Sequence, residues 1–135
     1  MSPSKVARHR LLLQLEDDMR SGRIKRDDLE QMVSYGNLPI ADAKAVMKNV
    51  QETAGEDPEM ARLYSRVSRL DFEGAESVWQ EANDSEKKVL EKLIKKKAAA
   101  YLKKSITDFT PDERSKDPMF RRARQISPLL ETVAQ

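Results

Sequence analysis

The sequence predicts an all-α protein: a small multi-helix bundle or a short stack of helical hairpins, in a single domain. Three observations carry that expectation. No stretch of the 135 residues sustains an apolar alternation of period two, the mark of a half-buried strand. The charged share is 36% against an average of about 25%, which suits helices with narrow apolar stripes and wide wet faces. The prolines and glycines, finally, punctuate the chain where helices begin and end.

All six prolines read as helix starts. Pro3, Pro58, Pro111, Pro118 and Pro128 each follow a residue able to cap free amides: Ser2, Asp57, Thr110, Asp117 and Ser127. Pro39 follows Leu38, with Asn37 just before it. "TPDE" at Thr110–Glu113 also fits a capping box, because Glu113 lies three residues after the cap. Gly22, Gly36 and Gly55 each follow a helical-period segment, where a left-handed C-terminal cap favours glycine. Gly74 lies inside a helical pattern and is expected to mark the close approach of another helix.

The helices predicted in order are 4–20, 27–35, 39–54, 58–69, 71–82 and 85–104, then shorter pieces at 111–116, 118–126 and 128–134. In the first, Leu11, Leu12, Leu15 and Met19 form one stripe, while Val6 and Leu13 lie on another side. A helix apolar on two sides is either centrally buried or shared with a partner. It is therefore the candidate partner-contact element. Met60, Leu63, Tyr64 and Val67 make a stripe at i, i+3, i+4 and i+7, and Phe72, Ala75, Val78, Trp79 and Ala82 make the next. Trp79 reads as a core anchor. The last pieces are expected to form a short helical extension, 111–135, packed on a helical domain of 1–110.

"LPIADAKAVM" (Leu38–Met47) and "LDFEGAESVW" (Leu70–Trp79) share a pattern thirty-two residues apart. A duplicated helical hairpin is one explanation, and two ordinary amphipathic helices with a leading leucine is the other.

Charge is distributed in blocks. Residues 1–26 carry a net +4, residues 27–86 a net −9 and residues 87–126 a net +8, while the whole chain has only +2. Such a chain either neutralises itself on folding or offers two faces to two partners.

The most basic stretch is "LEKLIKKKAAAYLKKS", Leu90–Ser105, with six lysines in sixteen residues. On a wheel of 100° per residue, Val89, Leu90, Leu93, Ile94 and Tyr101 share one face. Lys88, Lys92, Lys95, Lys96 and Lys103 gather opposite, and Lys97 points into the apolar stripe. Acidic residues at Asp84–Glu86 complement the helix dipole. A solvated outer face accounts for these lysines without any ligand. Arg121, Arg122 and Arg124 extend the patch if their segment folds beside this helix. The eight residues together would hold several phosphates of a nucleic acid non-specifically. A base-reading helix-turn-helix at 27–54, with Lys44, Lys48, Asn49 and Gln51 on its second helix, is disfavoured by the acidic surround.

Catalysis is not indicated. His9 is the only histidine, flanked by Arg8 and Arg10, and reads as a surface residue. There is no glycine-rich phosphate loop, no H-E-x-x-H and no calcium-loop spacing. Glu16, Asp17 and Asp18 splay by 100° each on one helix and do not converge on a metal. No catalytic, cofactor or metal residue is assigned, and no small-molecule substrate is expected. Cysteine is absent, which fits a reducing cytoplasm, and "LLLQL" at Leu11–Leu15 is too short for a membrane span or a secretory core. The function expected is a non-catalytic protein-interaction module, adaptor or regulatory, binding another protein or itself. The alternative is non-specific nucleic-acid binding through 85–104 and 121–124.

Overall fold

The structure, a computed structural model, describes residues 3–127, with side chains from residue 5. Among these residues there are eight helices and no strand: α1 (Pro3–Arg20), α2 (Arg26–Ser34), α3 (Ile40–Glu52), α4 (Pro58–Ser68), α5 (Phe72–Glu81), α6 (Asp84–Asp108), α7 (Pro111–Lys116) and α8 (Pro118–Ile126). The fold is all-α, as the sequence predicts. None of these helices is long and apolar enough to cross a membrane. The helix expected at 128–134, and Pro128 with it, lies outside the described residues.

The caps form through the residues that announced them. Asp57 accepts from the Met60 amide at 3.0 Å, and Asp117 from the Met119 amide at 3.0 Å. Thr110 Oγ1 accepts from the Glu113 amide at 3.2 Å, while Glu113 returns the bond to the Thr110 amide at 3.0 Å. Those bonds favour the carboxylate and hold the Glu113 pKa below its ordinary value. A second such box, Asn83 with Glu86, opens α6 one residue earlier than expected. At the other end α6 runs a turn longer, to Asp108, and Pro111 follows close behind.

Gly36 closes α2 at φ 77°, and Asn37 donates back to the Met32 carbonyl at 2.9 Å. A side chain there would strain the backbone. Gly74 does not mark a helix crossing. A Cβ at this position would meet Asp71 Oδ1 and Leu70 Cβ, each at 3.3 Å, so its neighbours belong to its own helix start.

The chain divides into two compact units, residues 1–66 and 67–135. In the first, α1 and α2 both pack on α3. Leu12, Leu15, Leu29, Leu38, Ala43 and Val46 form the core, with Met19, Ile24, Met32, Val33 and Met47 against it. Residues 58–66 of α4 are held by polar contacts. Arg62 donates to Asp17 at 2.8 Å, and Arg20 donates to Ser65 Oγ at 2.6 Å and to Thr53 Oγ1 at 3.1 Å. Ser65 in turn donates to Glu16, a fully buried carboxylate, at 3.3 Å.

In the second unit α6 is the spine, with α5 and α8 packed along it and α7 linking α6 to α8. Its buried apolar residues are Val67 at the end of α4, Leu90, Leu93, Ile94, Ala98 and Leu102 on α6, Phe72 and Ala75 on α5, and Phe120 and Ala123 on α8. The Phe72 and Tyr101 rings sit 5.4 Å apart. Trp79 is no core anchor. It is half-buried, and the Lys87 ammonium lies 5.7 Å from its ring centre.

The thirty-two-residue echo is used differently in its two copies. Ile40 is exposed whereas its counterpart Phe72 is buried, and α3 packs on α1 and α2 whereas α5 packs on α6.

Candidate interaction surfaces

The basic helix presents its lysines as the wheel predicts: Lys88, Lys92, Lys95, Lys96 and Lys103 are all exposed. Lys95 pairs with Glu91 at 3.0 Å, one turn away and equally solvated, a contact that adds little. α8 does fold beside this helix. Its arginines are used unequally, however. Arg121 is exposed and donates to the Ser115 carbonyl at 3.2 Å. Arg124 lies over the Phe120 ring at 5.8 Å. Arg122 donates through Nε to Glu76, a buried carboxylate on α5. An arginine neutralising a buried acid has little left for phosphate.

Lys97 is explained by a contact beyond the reach of a helical wheel. Its ammonium donates to the carbonyls of Ser68 at 3.0 Å and Leu70 at 2.5 Å, at the C-terminal end of α4 and just past it. The Ser68 carbonyl ends α4, where carbonyls lack intrahelical partners and carry the negative end of the dipole. Burial nonetheless dominates and lowers the Lys97 pKa, partly offset by Asp71 nearby.

The charge blocks vanish when the chain is counted by folded unit. Residues 1–66 hold eleven basic and eleven acidic side chains, and residues 67–135 hold fourteen and twelve. Each unit takes an arginine from a basic flank and seats it on an acid of the middle block. Arg8 of α1 forms a two-point pair with Asp42 of α3, as Arg122 of α8 does singly with Glu76 of α5. The Asp42 contact also raises the Arg8 pKa.

The candidate partner-contact helix is mostly spent inside its own unit. Leu12 and Leu15 are buried and Met19 packs against the core. Val6 and Leu13 are half-buried, and Leu11, expected in the same stripe as Leu12, is 44% exposed. His9 is not a plain surface residue. It is half-buried, and its Nε2 is shielded from solvent without a hydrogen-bond partner among the described residues. On α3, Asn49 is buried, so one of the four side chains named for base reading faces inward.

The surface that sequence reasoning missed lies between α2 and α3. Leu29 and Val33 of α2, with Ile40, Ala43 and Met47 of α3, line an open groove of about 210 Å³, edged by Glu30 and Lys44. Ile40 is 61% exposed, and Tyr35, in the turn joining the two helices, is 77% exposed. The signal was an aromatic residue in "SYGN" and an isoleucine directly after Pro39. Neither position has an evident need for an apolar side chain in turning the chain.

A second open cleft, about 370 Å³, runs beside α6 in the other unit. Phe72, Ala100, Tyr101 and Phe109 provide its apolar walls, and Asp71, Lys97, Lys104 and Asp108 provide charges of both signs. Tyr101 donates to Asp117, and burial together with that bond pushes its pKa up to about 12.

Comparison with protein-family models, with curated protein sequences and with solved structures found no match to this chain.

Proposed function

We propose that this chain is a non-catalytic protein-interaction module of the adaptor or regulatory kind, and that its contact face is the α2–α3 groove. One observation carries the reading: Ile40 is 61% exposed and forms one wall of an open groove whose other walls, Leu29, Val33, Ala43 and Met47, are apolar as well. Exposed apolar surface is unfavourable for a solitary domain and marks a contact site when it clusters. Supporting it, the acidic and basic blocks neutralise one another within each unit, so neither is required for an outside partner. The lack of cysteine suits a reducing compartment such as the cytoplasm.

The test is a comparison of baits. The parent chain, Ile40→Asp and the five-lysine variant (Lys88, Lys92, Lys95, Lys96 and Lys103 to Gln) are immobilised and exposed to a lysate of the native cells. A protein held by the parent and the lysine variant but released by a folded Ile40→Asp supports the reading. Equal retention by all three removes it.

A second reading, non-specific nucleic-acid binding, is favoured by the packing of α8 along α6, which puts Arg121 and Arg124 in the same unit as the exposed lysines. Fluorescence anisotropy with random duplex and single-stranded oligonucleotides decides it. Micromolar binding that collapses between roughly 50 and 200 mM salt, and is lost in the five-lysine variant, would make nucleic acid the leading partner. No binding at the lowest salt retires it.

A further inference from the structure

We propose that the outer face of α6 adsorbs to an anionic lipid surface, with its lysines on the headgroups and Ile106 and Phe109 reaching the layer beneath them. This surface lies in residues 67–135, and its use is independent of the α2–α3 groove.

The face is a single row along one helix. At 100° per residue, Lys88, Lys92, Lys95, Ala99, Lys103 and Ile106 lie within about 80° of one another, with Lys96 just beside them. From Lys88 to Ile106 the row runs about 27 Å. All five lysines are exposed. Between Lys88 and Lys103 the sole carboxylate is Glu91, which is paired with Lys95, and Asp84 stands one turn ahead of Lys88. Asp108, at the far end, points about 160° away from Ile106. The acids of α7 are already engaged, Asp112 with Lys116 at 3.1 Å and Glu113 in its cap.

Ile106 makes this row unlike an ordinary wet face. The buried residues Leu90, Ile94, Ala98 and Leu102 follow one another every four residues, and each step turns about 40° past a full turn. Ile106 is the next member, turned about 160° from Leu90, so the core row surfaces among the lysines. It is 43% exposed, and Phe109, one turn on, is 37% exposed. Their carbonyls lie at the C-terminal end of α6, where the negative end of the dipole opposes an anionic surface. Arg114 donates to both, at 3.1 and 3.0 Å, and offsets that charge with its own.

Charge sets the sign of the partner, and the apolar pair sets its kind. A nucleic-acid backbone takes the lysines but offers Ile106 no apolar phase. An anionic bilayer offers both: headgroup charge, which contributes about fivefold in binding for each lysine near it, and an acyl boundary just below. The main apolar face of α6 is spent in the core. Attachment is therefore weak and reversible, half complete at on the order of 0.1–1 mM lipid.

The test is co-sedimentation of the full chain with vesicles of phosphatidylcholine alone, or with roughly a third phosphatidylserine, from roughly 50 to 200 mM salt. The parent binds the anionic vesicles and not the neutral ones, and salt weakens the binding. Changing Lys88, Lys92, Lys95, Lys96 and Lys103 to Gln abolishes it, and Ile106→Ser weakens it about fivefold. Because the chain has no cysteine, Ile106→Cys carries a single environment-sensitive dye, whose emission shifts to the blue on anionic vesicles. Far-UV circular dichroism reports whether each variant is folded, and the exposed lysines decide the matter if the Ile106 variants are not. A parent that leaves anionic vesicles in solution unbound at the lowest salt overturns the proposal, as does equal binding by the five-lysine variant. Binding that ignores Ile106→Ser and shifts no dye overturns it too, since a polyanion face suited to nucleic acid behaves that way.

Discussion

In residues 1–66 an arginine of α1 reaches a buried carboxylate on α3; in residues 67–135 an arginine of α8 reaches a buried carboxylate on α5. The chemistry is the same and the setting is not. The Arg8 side chain is 61% exposed, whereas that of Arg122 is 33% exposed. Water screens the first pair from one side, and the second is more nearly enclosed. The two units also differ in what they leave outside. The first leaves an apolar groove between two short helices, and the second turns a lysine face to solvent and puts a half-buried lysine, Lys97, to structural use. The lysine face is satisfied by water, whereas Ile40 leaves apolar surface in contact with it.

The largest expected effect sharpens the contrast between the pairs. Arg122→Met leaves Glu76 buried beside an uncharged neighbour and destabilises by about 2 kcal/mol, below the range for a fully enclosed pair. Arg8→Met costs less, because Asp42 keeps easier access to water once the partner has gone. Urea titrations of both variants, read by circular dichroism, would break the comparison if the two midpoints moved equally.

Next in size is Lys97→Met. Two carbonyls lose their donor, at a cost of about 1–2 kcal/mol, while Lys92→Met, on the outer face, stays within about 0.5 kcal/mol of the parent. Equal urea midpoints for the two lysine variants would show that Lys97 is no cap.

A smaller effect is visible only at high pH. Tyr101 keeps its proton to about pH 12 in the folded chain, whereas an unfolded tyrosine loses it near its ordinary value of about 10. The contribution is thus complete below about pH 10 and is lost as the pH rises through the folded value. Thermal melts of parent and Tyr101→Phe should converge over that interval, and a constant gap between them would contradict the assignment. The smallest effect belongs to the five-lysine variant, whose melting temperature should match the parent's within a few degrees.

Much of the helical layout was legible because its determinants are local. The Thr110–Glu113 box and the turn at Gly36 are each settled within a few residues, whereas the Asn83–Glu86 box, equally local, went unread and moved the start of α6 by one residue. The lysine face of α6 was legible for the same reason, since periodicity alone places Lys88, Lys92, Lys95, Lys96 and Lys103 together. The candidate groove was not. Periodicity marks Ile40 as apolar, but exposure depends on whether another element covers it, and nothing near it in the chain says so. Leu11 and Lys97 illustrate the same limit: one apolar residue left out, and one charged residue drawn in.

Local chemistry therefore decided that this chain is helical, where most of its helices start and stop, and which side of α6 stays wet. Capping, left-handed turns and the period of 3.6 residues act over one or two turns, and any chain with these residues obeys them. Tertiary structure alone decided which acid each arginine neutralises, across 34 residues for Arg8 and 46 for Arg122. It also decided which carbonyls Lys97 caps and that the α2–α3 groove stays open. Those outcomes depend on which helices meet, and that is set by the packing of whole cores rather than by any residue's neighbours in sequence.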